Sequence, residues 1–231
     1  MNAVIIDGYI DEPSCFGAPP YISPYPRYIY GLFKYFNFSI DYYTIDQIRK
    51  NNFQIENKYE YCVIIGGLSV PGKYINTHII TLIELKKIVD LFAGRAKLAL
   101  VGALNRGWTI EGGKKPIPLE FNKFDLLTDN TYLRQLYDFI SASAESASNI
   151  VAFDKEKYCR LGAAIIVKHH YYPNIICEIE TYSGCLRNER CCFCVEQFSN
   201  ETITRRPDDI IAEMEQLYKF GCRHYRIGNQ P

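Results

Sequence analysis

Short apolar runs that end in glycine recur along the first half of this chain and constrain its fold more than any other feature. Ala3-Val-Ile-Ile-Asp7 leads into Gly8, Cys62-Val-Ile-Ile65 into Gly66-Gly67, and Leu98-Ala-Leu-Val101 into Gly102. Each run is continuously apolar and too short for a helix, the pattern of a strand buried on both faces. Ser39 to Tyr43 is a further strand candidate. The spacing between the runs is helical. Ile79, Ile80, Ile83, Ile88 and Phe92 predict a helix over 76–92, with Asn76 or Thr77 as N-cap and Gly94 just past its end. The aromatic segment Tyr28 to Phe38 is expected to be helical, and a weaker unit follows as strand Phe124 to Leu127 and a helix from about Asn130 to Ser141. Strands alternating with helices imply βαβ units and a parallel sheet covered on both faces, hence an α/β domain expected over residues 1–160.

The small, polar stretch Ser141 to Ser148 points to a boundary near residues 150–172. Beyond it, Gly162 to Lys168 and Ile175 to Ile179 are expected strands. The second runs through Glu180-Thr-Tyr-Ser-Gly184 into a segment holding Cys185, Cys191, Cys192 and Cys194. Pro207 to Phe220 is the best helix in the chain. Pro207 suits N1, Asp208 and Asp209 suit the first turn, Ile210, Ile211, Met214, Leu217 and Tyr218 form one face, and Gly221 follows. His224 to Ile227 is then a strand, so residues 161–231 read as strand, cysteine loop, helix, strand.

Composition excludes several partners. The 231 residues carry 26 basic and 26 acidic side chains, and this balance offers no attraction to nucleic acid or an anionic membrane. No apolar run approaches the roughly 18 residues of a membrane span. The N-terminus has neither a charged segment nor a long apolar one, so no signal peptide is expected. An odd number of cysteines, nine in all and clustered, fits a reducing compartment, and the expected location is cytoplasmic.

The cysteine segment carries the chemistry. Cys191 and Cys194 form a C-x-x-C pair whose thiolates can reach one metal centre, and Cys185 adds a third ligand. A structural zinc site normally takes four ligands in two pairs, and the second pair is missing; Cys177, Cys222 and the histidines offer only single candidates. Three thiolates without a clear fourth suit an iron–sulfur cluster with one open iron. Phe193 stands immediately before the last cysteine and could pack on a bound planar group.

Glu178-Ile-Glu-Thr-Tyr-Ser-Gly-Cys185 followed by Cys191-Cys-Phe-Cys194-Val-Glu196 resembles the cluster loop of radical S-adenosylmethionine (radical SAM) proteins. The resemblance implies a [4Fe–4S] cluster held by Cys185, Cys191 and Cys194, with Phe193 as the aromatic beside it and Cys192 matching no ligand. It also implies S-adenosylmethionine on the open iron, cleaved with one electron to methionine and a 5′-deoxyadenosyl radical that abstracts hydrogen from a substrate. Ferredoxin or flavodoxin would be the electron donor. Gly228 and Asn229 stand where the family's glycine-rich segment meets the SAM amino group. The spacing here is C-x5-C-x2-C, longer in its first gap than the commonest C-x3-C-x2-C. Residues 161–231 would then be the first βαβ unit of a radical SAM β/α barrel, an incomplete piece whose remaining strands lie on a further polypeptide.

The N-terminal part resembles the Rossmann/flavodoxin-like domain that precedes this barrel in cobalamin-binding members. The D-x-H-x-x-G motif that supplies a cobalt ligand is absent, which counts against cobalamin. The remaining readings are structural: buried thiols for Cys15, Cys62, Cys159, Cys177 and Cys222, turn glycines for Gly66-Gly67 and Gly112-Gly113, and packing for His169-His170. The alternative function is a non-catalytic scaffold holding zinc or a structural cluster.

Overall fold

The structure, a computed structural model, describes residues 1–13, 17–56, 58–67, 77–106, 121–128, 131–142, 152–185, 189 and 202–228. The chain runs β1 (Asn2–Asp7), β2 (Tyr21–Ile22), α1 (Pro24–Tyr35), β3 (Ser39–Thr44), α2 (Ile45–Lys50), β4 (Tyr61–Ile65), α3 (Leu82–Phe92), β5 (Lys97–Val101), β6 (Leu126–Leu127) and α4 (Tyr132–Ser141). It continues with α5 (Lys155–Gly162), β7 (Ile176–Glu180), β8 (Tyr182–Ser183), β9 (Ile203–Thr204), α6 (Pro207–Lys219) and β10 (His224–Gly228).

Five parallel strands form the first sheet in the order β3-β1-β4-β5-β6. The chain steps from β1 outward to β3, then crosses back to β4, which is the winding of a flavodoxin-like sheet with its reversal between β1 and β4. Alternation of side chains along these strands divides the core in two. Val4, Ile6, Cys62, Ile64, Leu98 and Leu100 meet α2 and α3 through Ile45, Ile48, Leu85, Ile88 and Phe92. Ala3, Ile5, Val63, Ile65, Ala99 and Val101 meet α1, α4 and α5 on the other face.

Helix α1 is buried continuously from Pro24 to Phe33, so it works as a central layer rather than a surface helix. It packs most closely against α5. A Cβ on Gly31 would lie 1.9 Å from the Tyr158 carbonyl oxygen, and one on Gly162 would lie 1.9 Å from that of Arg27. Only glycine on both sides permits that crossing. On α1's far side lies a second parallel sheet, β10-β7-β2, in which β2 joins residues from the start of the chain to β7. β7, α6 and β10 form a strand–helix–strand unit with both strands parallel.

Three expectations shift. α3 starts at Leu82, not near 76, because Thr81 and Glu84 close a capping box: Glu84 N–H donates to Thr81 Oγ1 (3.2 Å), and Thr81 N–H to Glu84 Oε2 (2.9 Å). Residues 163–168, expected as part of a strand, instead continue α5 as a 3-10 helix with Ala163, Ile165 and Ile166 fully buried. A short apolar run fits a buried helix as well as a buried strand, and period alone does not separate them. Helix α2 was not expected, although Thr44 and Gln47 form a second capping box.

Candidate functional site at the carboxyl end of the second sheet

Strand β7 sends Cys177 and Ile179 into the core and turns Glu178 and Glu180 to its other face. The register sets Glu178 opposite Arg226 and Glu180 opposite Gly228 on β10. Arg226 donates to Glu178 Oε1, and Lys155 on α5 donates to Glu180 Oε1. Glu178, Glu180 and Arg226 line a cavity of about 100 Å³ with Pro24, Ile179, Ile227 and Gly228. Carboxyl ends of parallel strands are where α/β folds build their sites. Among the described residues, a Cβ on Gly228 would meet nothing within 4 Å.

The same strand ends hold the stem of the cysteine loop. Thr181 N–H donates to the Gly228 carbonyl (3.0 Å), and Arg205 N–H to that of Thr181 (2.9 Å). β8 and β9 pair antiparallel, Gly184 turns with φ +89°, and Thr202 Oγ1 donates to the Cys185 carbonyl at 2.9 Å. Cys185 is therefore fixed through its backbone, and its thiol is partly exposed.

Of the expected site residues, Cys185 and Gly228 fall at this strand end, on β8's exit and β10's last position. Cys191, Cys192, Phe193, Cys194 and Asn229 lie outside the described residues. Among the described residues no group of three or more His, Cys, Asp or Glu side chains could hold a metal. The remaining described cysteines are buried. Burial raises the thiols of Cys62 and Cys159, and Cys177 and Cys222 hydrogen-bond to each other, which raises the first and lowers the second. His169 packs between the rings of Tyr42 and Tyr171, accepts from Tyr171 N–H on Nδ1 (3.2 Å), and is lowered by burial, and then by His170, to about 4.

Beneath the stem lies a buried ion network that the sequence did not reveal. Arg27 of α1 is fully buried; it donates to Glu213 Oε1 of α6 (2.8 Å) and to the Glu178 carbonyl of β7. Arg205, directly after β9, places Nη1 at 2.6 Å from Glu213 Oε2 and 2.9 Å from both Tyr28 Oη and the Glu180 carbonyl. Its other edge forks onto Glu156 of α5, with Nε to Oε1 at 3.0 Å. Tyr28 donates to Glu213 Oε2 (3.1 Å), and its ring has Arg27, Lys155 and Arg205 within 5.7–5.8 Å. Burial, the largest influence, works against the charge of both arginines; their surroundings together more than offset it, led by the Glu213 carboxylate at Arg27 and the Glu156 hydrogen bond at Arg205. The residues are far apart in sequence and sit in unrelated elements. The one local signal was arginine inside the aromatic run of α1, a position an exposed helix face would not require.

The first sheet's carboxyl end differs. Asp7 Oδ1 accepts from Tyr9 N–H (3.1 Å) and Oδ2 from Tyr42 Oη (3.0 Å), and burial raises the carboxyl to about 7. At the strand reversal, Gly8 N–H donates to the Ile65 carbonyl (3.0 Å) and Ile80 N–H to that of Gly8 (2.8 Å). The chain's own backbone thus occupies the place where a crevice opens in other sheets of this winding.

No family model matches the chain, and no solved structure matches it significantly. A protein of Archaeoglobus fulgidus described as uncharacterized is 36% identical over 232 residues, covering 100% of this chain and 40% of that protein. An uncharacterized protein of Methanocaldococcus jannaschii is 37% identical over 244 residues, covering 100% of this chain and 44% of its own length. The chain spans about two-fifths of the length of these relatives, with similarity running through both sheets.

Proposed function

We propose that this chain belongs to a radical SAM protein, with the β7–α6–β10 unit as the opening of the β/α barrel and Cys185, Cys191 and Cys194 as the ligands of a [4Fe–4S] cluster. The observation that carries the reading is the position of Cys185. It follows β8, a few residues past the carboxyl end of the first strand of a parallel strand–helix–strand unit, and that strand end lines a cavity with both carboxylates and an arginine. The donor set fits, since Cys185 keeps an accessible thiol while Cys62, Cys159, Cys177 and Cys222 are buried. When bound, the cluster and S-adenosylmethionine would supply one-electron cleavage to a 5′-deoxyadenosyl radical.

The chain's own residues hold and orient. Phe193 would pack beside the cluster, and Gly228 and Asn229 would meet the SAM amino group at the end of β10. Glu178, neutralised by Arg226, and Glu180, neutralised by Lys155, offer polar edges without an unpaired charge. A ferredoxin or flavodoxin would deliver the electron. The relatives' greater length and the exposed Ile227 on edge strand β10 support a further polypeptide segment carrying the rest of the barrel. The proposal includes no cobalamin. Among the described residues no helix is long and apolar enough to cross a membrane; we place the protein in the cytoplasm.

Anaerobic reconstitution with iron and sulfide tests the reading. The expected result is bound iron and sulfide with a broad visible absorption, and an electron resonance signal that shifts when SAM is added. Loss of iron binding in Cys185→Ala, Cys191→Ala and Cys194→Ala, with Cys192→Ala unaffected, would support the ligand assignment. Stoichiometric zinc without that signal would replace it with the non-catalytic scaffold.

A further inference from the structure

Arg205 is the first residue after β9, so it marks where the chain returns from the cysteine segment to the body of the protein. Its backbone N–H holds the Thr181 carbonyl at the segment's departure. Its side chain reaches α1 through Tyr28, α5 through Glu156, α6 through Glu213 and β7 through the Glu180 carbonyl. No other described residue at the stem joins as many elements, and its guanidinium is almost fully buried, with 2% side-chain exposure. The fork geometry matters. Bidentate engagement of Glu156 through Nε and Nη2, with carbonyl, carboxylate and phenol contacts from Nη1, needs a planar fork of donors, which arginine has and lysine lacks. Arg27 works in parallel from α1, tying the Glu178 carbonyl, two residues earlier on β7, to Glu213.

We infer that Arg205 is the positioning residue of the cysteine segment's stem, tying the chain's departure at Thr181 and its return at Arg205 to α1 and α5, so that the place of Cys185 is set by those helices. The functional side rests on the radical SAM reading; the geometric side does not. Arg205 touches no thiol. It acts through the β8–β9 stem and through β7, and Thr202 transmits the constraint to the Cys185 carbonyl.

Amide hydrogen exchange on the metal-free chain separates this from a general loss of stability. In Arg205→Met, exchange at Thr181 and Arg205 should rise roughly tenfold or more while β4 and β5 stay as protected as in the wild type. Arg205→Lys should recover part of the protection, because it restores the charge without the fork. In chains loaded with iron and sulfide, Arg205→Met should alter the electron resonance line shape and the SAM-induced shift at unchanged iron content. Stem exchange within about twofold of wild type would overturn the inference, and so would a loosened stem with unaltered spectra. If Arg205→Met also exposes β4 and β5, the same criteria apply to Arg205→Lys. A wild-type chain that takes up no cluster would defeat the functional reading, and the exchange result would still decide whether Arg205 fixes the stem.

Discussion

The first sheet is enclosed by two apolar clusters, one on each face, whereas the second fastens its strand ends to a buried network of arginines, glutamates and a tyrosine. Apolar burial is tolerant of detail, since many side chains of suitable volume fill a core. A buried ion network is not, because each charge must find its partner in one geometry or remain uncompensated. The difference follows the division of labour in the proposed function. The first sheet gives bulk and a platform, and the second must hold a loop at a fixed place and angle.

The largest expected effect breaks the network. Glu213→Leu leaves Arg27 and Arg205 facing each other without their shared carboxylate and should cost about 3–5 kcal/mol, read as a fall in the denaturation midpoint. The second prediction sharpens the first sheet's side. Asp7 is raised by burial to about 7 from an unfolded value of 3.8, so its share of stability is present below pH 4 and lost as pH rises through 7. Asp7→Asn should therefore gain on the wild type across that interval, by up to about 4 kcal/mol, in denaturation curves taken at several pH values. His169, lowered to about 4, acts in the opposite sense below its ordinary 6.5, and comparing each variant with the wild type at the same pH removes its contribution. Thr81→Ala opens the α3 capping box and should cost about 1 kcal/mol in the same assay. The smallest effect belongs to the exposed edge. Ile227, 62% exposed, should tolerate replacement by threonine within about 0.5 kcal/mol; a larger loss would mean that β10 is covered in solution.

The two regions were unequally legible in the sequence. β1, β4 and β5 announce themselves because a strand buried on both faces must be continuously apolar, and α6 because Pro207, Asp208 and Gly221 mark its ends. β2 was invisible: two residues carry no period, and its partner β7 lies far along the chain. Residues 163–168 misled because an apolar run has no period to read. At the site, thiols crowded together are a compositional signal that survives without coordinates. The residues that brace the stem at Thr181 and Arg205 are not, since Arg27, Glu156 and Glu213 look like ordinary charges on ordinary helices and Arg205 like one in a connection. Their meaning comes only from the fold that brings them together.

The Arg27–Glu213 pair also bears on how the protein is made, since 186 residues separate its members. During synthesis α1 leaves the ribosome long before α6, and chains acquire structure from the amino end as they emerge. The first sheet can close early on its local βα connections, but α1 then carries an arginine destined for full burial with no carboxylate to receive it. Settling of α1 must wait for α6, a long-range step of the kind that slows folding. Nascent chains stalled at increasing lengths should protect β1 and β4 from protease first and α1 only after α6 has emerged; simultaneous protection would contradict this order. The stem at Thr181 and Arg205 thus acquires its support in the same event that settles α1.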